Sequence, residues 1–347
     1  MQPIRLFAAT GDAVARLDSR DGAAFDVTLS LEGSGAQCVA VDPLDPRRVY
    51  AGTFDDGVYR TLDGGETWER VGAEIPHKRV LSVAMAPARR TNGRTAVYVG
   101  TEPSSLYRSE DDGRSWETFP RLPELPSAPT WSFPPRPWTS HVRWIAPHDR
   151  DPDLLFAGIE LGGVMRSRDG GQTWEDRKPG SYHDSHAIET HPAAPGRVYE
   201  ASGGGVALSD DAGETWAPVD GGMDRHYVWG LAVDPADPDL WYVSASHSAR
   251  EAHRANGDAQ AVLYRKRGDE PWQALGGDGA GNGDGLPRPL PYMPYALLTL
   301  RERPGVLLAG LQHGELLITE DAGDSWRRLA VKLPGLLALS EATAAAG

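Results

Sequence analysis

An octapeptide recurs five times in this 347-residue chain: Thr61–Trp68 (TLDGGETW), Ser109–Trp116 (SEDDGRSW), Ser167–Trp174 (SRDGGQTW), Ser209–Trp216 (SDDAGETW) and Thr319–Trp326 (TEDAGDSW). All five fit Ser/Thr-x-Asp-x-Gly-x-Ser/Thr-Trp. The first four copies start roughly 40–58 residues apart, a period that belongs to repeat architectures. No other feature restricts the fold so strongly.

Each octapeptide sits in a longer frame. In residues 80–116 the frame reads VLSVAMAP, AVYVGTE, LYRSEDDG and SWETF, short runs bounded by Pro, Gly or Asp. Each run reads as a strand. Four sequential strands form an antiparallel meander, the unit of a β-propeller blade. The octapeptide spans the turn from the third strand to the fourth. Its Asp can accept backbone N–H groups there, its Gly can take positive φ, and its Trp supplies an apolar anchor between sheets.

Five anchors are explicit: Trp68, Trp116, Trp174, Trp216 and Trp326. A degenerate unit built on LWYVSAS, VLYRKRG and Trp272 fills the long gap before the last. Another opens the chain, with Phe25 in place of Trp. The expected fold is therefore all-β, a single seven-bladed propeller of four-stranded antiparallel blades spanning 1–347. The blades fall at 336–342 plus 4–31, then 36–72, 80–120, 141–177, 186–219, 227–275 and 294–330. The first unit lacks an inner strand, so a strand near 336–340 is expected to pair with one near 4–10. This closure removes exposed sheet edges.

The octapeptides match the Asp box, or BNR repeat. The chain thus resembles the Asp-box β-propellers, which include sialidases, xyloglucanase-type glycoside hydrolases, sortilin-type receptors and photosystem assembly factors. In those families the box is a folding element on the face opposite the active site. The resemblance therefore implies structural roles for Asp63, Asp111, Asp169, Asp211 and Asp321. It implies no one activity, because function lives in sites grafted on folds. The sialidase arginine triad and tyrosine–glutamate pair have no counterpart here, and seven blades differ from the six of sialidases. Sialidase activity is not expected.

A formal charge of −14 argues against nucleic-acid partners and against docking on an anionic membrane. No apolar stretch approaches the ~18 residues of a membrane span. The N-terminus has no signal-peptide pattern. The expectation is a cytoplasmic monomer. The single cysteine, Cys38, lies in the apolar run QCVAV and reads as a buried thiol. The run 276–285 (GGDGAGNGDG) reads as a flexible loop.

In a four-stranded blade, the loop entering the inner strand and the loop from second to third strand share one face. Eight of the ten histidines (77, 141, 183, 186, 226, 247, 253 and 313) fall in such loops. His148 and His191 fall on the other face. This concentration predicts a titratable axial pocket. Its candidate catalytic residues are Glu160, Glu102, His141 and His186. Its candidate ligand-binding residues are Lys78, Arg79, Trp138, Arg143, His183, His226, Tyr227, His247, Tyr295 and His313. Residues 120–139 and 247–260 are long insertions that read as lids.

Three functions fit this rim. The favoured one is a hydrolase acting on a polar, sugar-like small molecule, with Glu102, Glu160, Asp55 and Asp184 as candidate carboxylates. A second is a metal- or histidine-dependent lyase or isomerase, with His141, His183, His186 and His226 as the candidate ligands of a divalent metal. A third is a non-catalytic ligand-binding or assembly module.

Overall fold

The computed structural model describes residues 3–89, 93–254, 256–277 and 285–342. Its strands form seven antiparallel sheets arranged in a ring. The inner strands are Ala338–Glu341, Ala36–Asp42, Arg79–Arg89, Val142–Pro147, Ser185–Thr190, Tyr227–Val233 and Pro294–Leu300, for blades 1 to 7 in that order. Each inner strand touches those of both neighbouring blades, and the cycle closes through Ala338–Glu341. Among the described residues, helix is confined to 3-10 turns at Leu122–Glu124 and Ala128–Thr130 and to Ala249–Ala252. Most of the run 276–285 lies outside the described residues.

Ring closure uses Ala338–Glu341, antiparallel to Leu6–Ala9. The strand starts two residues later than the sequence suggests because Leu336 is spent on packing. It is fully buried and fills the space over Gly310, where a Cβ would lie 2.3 Å from Leu336 Cδ2. Blade 4 corrects the four-strand expectation. It has three strands, and its outer edge is reduced to the single bridge Arg166–Glu175. Beyond Glu175 the chain leaves the sheet and turns at Gly180, with φ +90°.

The octapeptide turns share one hydrogen-bond plan. In the fourth copy, Ser209 Oγ donates to Asp211 Oδ1 at 2.8 Å and accepts from Gly213 N at 2.8 Å. Asp211 also accepts from Thr215 N (2.8 Å) and Thr215 Oγ1 (2.6 Å). Asp63, Asp111, Asp169 and Asp321 make the equivalent bonds. These bonds hold the Asp211 carboxyl down at about 2. The indoles of Trp116, Trp174, Trp216 and Trp326 then donate to the box glycine carbonyls.

The boxes also staple neighbouring blades. An arginine on the third strand of one blade reaches the carbonyl that precedes the box glycine of the next. The pairs are Arg16 to Gly64 (3.1 Å), Arg108 to Gly170 (3.3 Å), Arg166 to Ala212 (2.9 Å) and Arg265 to Ala322 (2.6 Å). On the same face His148 and His191 cap their own turns, each Nδ1 accepting backbone N–H. Their Nε2 atoms donate to Pro195 O and Asp234 O of the following blade.

Candidate active site

Six inner strands carry a register shift near the end at which they enter the sheet: Ala36/Cys38, Val80/Ser82, Val142/Trp144, Ser185/Ala187, Val228/Leu231 and Pro294/Ala296. The residues skipped include Gln37, Leu81, Arg143, His186, Trp229 and Tyr295. A bulge leaves its extra residue unpaired and re-aims its side chain. Here all six line the central channel, joined by Leu337 from the closing strand. Small residues stand next to the bulges on the second strand, such as Gly52, Gly100, Gly158 and Gly310. The axial ring is thus one residue per blade, six from bulges and Leu337 from just before the closing strand, in the order Gln, Leu, Arg, His, Trp, Tyr, Leu.

Above the ring, on the face opposite the octapeptide turns, opens a cavity of about 590 Å³. Six ring members, all but His186, line it together with Phe54, Phe133, Arg136, His141, Glu160, Asp184, Tyr227 and His253. A second cavity of about 340 Å³ continues below the ring. Both insertions reach the upper cavity. Phe133 to Arg136 form one wall, with Trp131 buried beneath as their anchor. Ala249, Arg250 and His253, on and just after the short helix Ala249–Ala252, form another.

The polar floor is organised around His141. Its Nε2 donates to Glu160 Oε2 at 2.8 Å, and its Nδ1 faces Glu102 Oε2 at 3.7 Å. Burial alone would push the Glu160 carboxyl up. The His141 hydrogen bond and charge, with Arg143 adding to the field, bring it down to about 2. Glu160 therefore faces the cavity as a buried, ionised carboxylate. Glu102 lies behind the wall, clamped by Arg136 (2.7 and 2.6 Å) and Arg79 (3.0 Å). Against the upward push of burial, these guanidinium groups hold its carboxyl below the usual range.

Arg143 lies with its guanidinium 4.6 Å from the Trp229 ring centroid, and its buried Nε has no hydrogen-bond partner. It offers the cavity a cation. Tyr227 Oη bonds His253 Nε2 at 2.8 Å, and His253 Nδ1 bonds Tyr295 Oη. Desolvation by the surrounding rings pushes His253 down to about 4, so this Tyr–His–Tyr wall is neutral.

The structure brings together Glu160, His141, His186, Arg143, Tyr227 and Tyr295, and places Arg79 and Glu102 as support behind them. It does not gather the other candidates. Lys78 donates to the carbonyls of Ala73 and Ile75 in its own loop. His183, His226 and His247 are exposed and do not line the cavity. Trp138 is 80% exposed, because Trp131 and Phe133 take the inward positions in its loop. His313 stacks on Tyr292 (3.7 Å between centroids) and pairs with Glu315, away from the cavity. The four-histidine metal set is not assembled, since His183 and His226 face solvent. The candidate site residues do not include His253, Arg136 or Phe54, although His253 is one of the eight rim histidines. His253 and Arg136 sit in insertions that have no counterpart in the repeat to fix their direction.

No protein-family profile matches the chain. Over 119 residues it is 29% identical to xyloglucanase Xgh74A of Acetivibrio thermocellus, covering 28% of this chain and 14% of that protein. It superposes on the GH74 xyloglucanase of Xanthomonas campestris with a TM-score of 0.70 and 16% identity, covering 98% of this chain and 52% of that one. A structure of YCF48 bound to D1 peptide gives a TM-score of 0.57 and 15% identity, covering 94% and 86%. The chain therefore spans only a small part of the curated xyloglucanase and about half of the solved one. At these identities the likeness establishes the fold: a seven-bladed β-propeller of the kind seen in GH74 xyloglucanases and YCF48, the class that the octapeptides resemble.

Proposed function

We propose that this propeller is a hydrolase-type enzyme acting on a polar, saccharide-like small molecule in the upper axial cavity. The observation that carries the reading is Glu160: a buried carboxylate lining the axial cavity, yet kept ionised by His141. A buried anion of this kind is costly unless it is used or paired, and a base oriented by a second group is the arrangement that activates a nucleophile. Glu160 takes a proton from water, His141 fixes its direction and charge, and Arg143 holds an electronegative part of the substrate. The aromatic rings of Phe133, Tyr227 and Trp229 give a sugar ring faces to stack on. The xyloglucanase relatives support hydrolysis as the reaction class.

The pair Glu102 and Glu160 does not serve as a glycosidase acid and nucleophile. Glycoside hydrolysis needs one carboxyl kept protonated, and both of these are held ionised. The test is a panel of nitrophenyl glycosides and esters, with parent and Glu160→Gln compared on each. Turnover by the parent that falls about 10²–10⁴-fold in the variant supports the reading. Turnover unchanged by the substitution, or none on any substrate, contradicts it.

A further inference from the structure

His186 is 1% exposed, and its two ring nitrogens are in opposite situations. Nδ1 lies 2.6 Å from Val228 O. A carbonyl only accepts, so Nδ1 donates there and Nε2 is the ring nitrogen left to meet a ligand. That Nε2 is buried without a hydrogen-bond partner. The nearest carboxylate oxygen, Asp184 Oδ1, is 3.4 Å away and does not meet hydrogen-bond geometry. An imidazole that donates one N–H to a backbone carbonyl and offers the other nitrogen as a lone pair is the arrangement found in metal-ligating histidines.

What Nε2 faces agrees with this. Glu160, Asp184 and His186 each offer one ligand atom, and all three atoms lie within 4.8 Å of one another. In a tetrahedral site with metal–ligand bonds of about 2.1 Å, ligand atoms stand ~3.4 Å apart, and Nε2 to Asp184 Oδ1 already has that separation. One Glu160 oxygen accepts from His141, which leaves the carboxylate a second oxygen for a cation. Asp184 is held by the Leu161 N–H at 3.4 Å and by contact with Gly203, where a Cβ would lie 1.9 Å from Asp184 Oδ2. Two carboxylates and one imidazole nitrogen are a donor set that suits a divalent cation. Arg143 adds one positive charge to this field but is drawn towards Trp229.

We propose that Glu160, Asp184 and His186 form a binding site for a divalent first-row transition cation at the floor of the upper cavity, with its remaining positions open to water or substrate. One nitrogen and two carboxylate oxygens suit zinc, manganese or iron rather than calcium. The site rests on the cavity of the proposed reading but does not depend on turnover there.

The experiment is titration of chelator-treated full-length protein with Co²⁺, followed by its visible ligand-field absorption and by calorimetry, with Zn²⁺ as competitor. The expected result is one equivalent bound, displaced by Zn²⁺. Asp184→Asn, a half-buried isosteric change, should weaken binding at least tenfold, and His186→Gln should do the same. His183→Ala, an exposed neighbour outside the cavity, should bind as the parent does. If the buried His186 variant fails to fold, Asp184→Asn decides alone. Absence of saturable binding, or binding that Asp184→Asn leaves unchanged, overturns the proposal. Turnover abolished by Glu160→Gln in a protein that shows no saturable cobalt binding would overturn the cation site while leaving the hydrolase reading standing. Stoichiometric cobalt binding without turnover on any substrate would do the reverse.

Discussion

His141 and Glu160 share a 2.8 Å hydrogen bond at the floor of the axial cavity, and that bond sets the charge of the one buried carboxylate lining the cavity among the described residues. Without His141, burial acts on Glu160 less opposed and its pKa rises. The base is active only when ionised. The acid limb of the pH–rate profile should therefore move to higher pH in His141→Gln, and activity at acid pH should fall most. A profile that drops uniformly without shifting would show that His141 acts only by packing.

Glu200 gives a stability test away from the chemistry. It is fully buried, and desolvation pushes its carboxyl up to about 8 from an ordinary value of 4.5. A carboxyl raised in the folded state favours folding while both states are protonated. That contribution is full below about pH 4.5 and is lost as pH rises to about 8. Glu189, also raised by burial, acts in the same direction. Glu200→Gln should flatten the decline between these limits and be more stable than the parent at pH 8, by a few kcal/mol. Denaturant unfolding of both proteins at pH 5 and pH 8 measures this.

The inter-blade staple predicts coupling. Arg166 donates to Ala212 O at 2.9 Å and also pairs with Glu175 and Glu214. Arg166→Ala leaves that carbonyl unpaired and should cost about 1–3 kcal/mol. Asp211→Ala removes the bonds that hold the same turn and should cost about 1 kcal/mol. Because both substitutions loosen one turn, the double variant should fall short of their sum by ~0.5 kcal/mol or more. Strict additivity in thermal unfolding would show that the box and the arginine act independently.

Cys38 is buried, and desolvation pushes its thiol up to about 12. The thiolate is the reactive form. A thiol reagent at pH 8 should therefore label the native protein only at the rate of unfolding. Rapid labelling of folded protein would show that the channel beside Cys38 admits solvent and reagent.

The seven blades and the shared first blade were legible because the octapeptide fixes a turn of one geometry wherever it occurs. Asp63 and Asp321 stand 258 residues apart, yet make the same bonds. Arg143, His186 and Tyr295 were reachable because the repeat frame places them at strand entries. The rule that unites them, one bulged residue in each of six inner strands, was also written in the aligned strands QCVAV, LSVAM, RWIAP, HAIET, WGLAV and YALLT. It passed unread because a bulge breaks the period-two pattern by which a strand's facing side is judged. His183 and His226 show the limit of counting histidines along a rim. Both occupy the right loops, but among the described residues no tertiary partner turns them inward, whereas His253 is drawn in by Tyr227 and Tyr295.

The central claim is that the bulge-built cavity over the ring is where this propeller meets its ligand. The most direct measurement is a crystal structure soaked with a library of saccharides and small polar fragments. The account predicts ordered ligands in the upper cavity, in contact with Glu160 or Arg143 and stacked on Trp229, Tyr227 or Phe133. Ligands that bind only on the octapeptide face or the outer blade edges, with the cavity left to solvent, would contradict it.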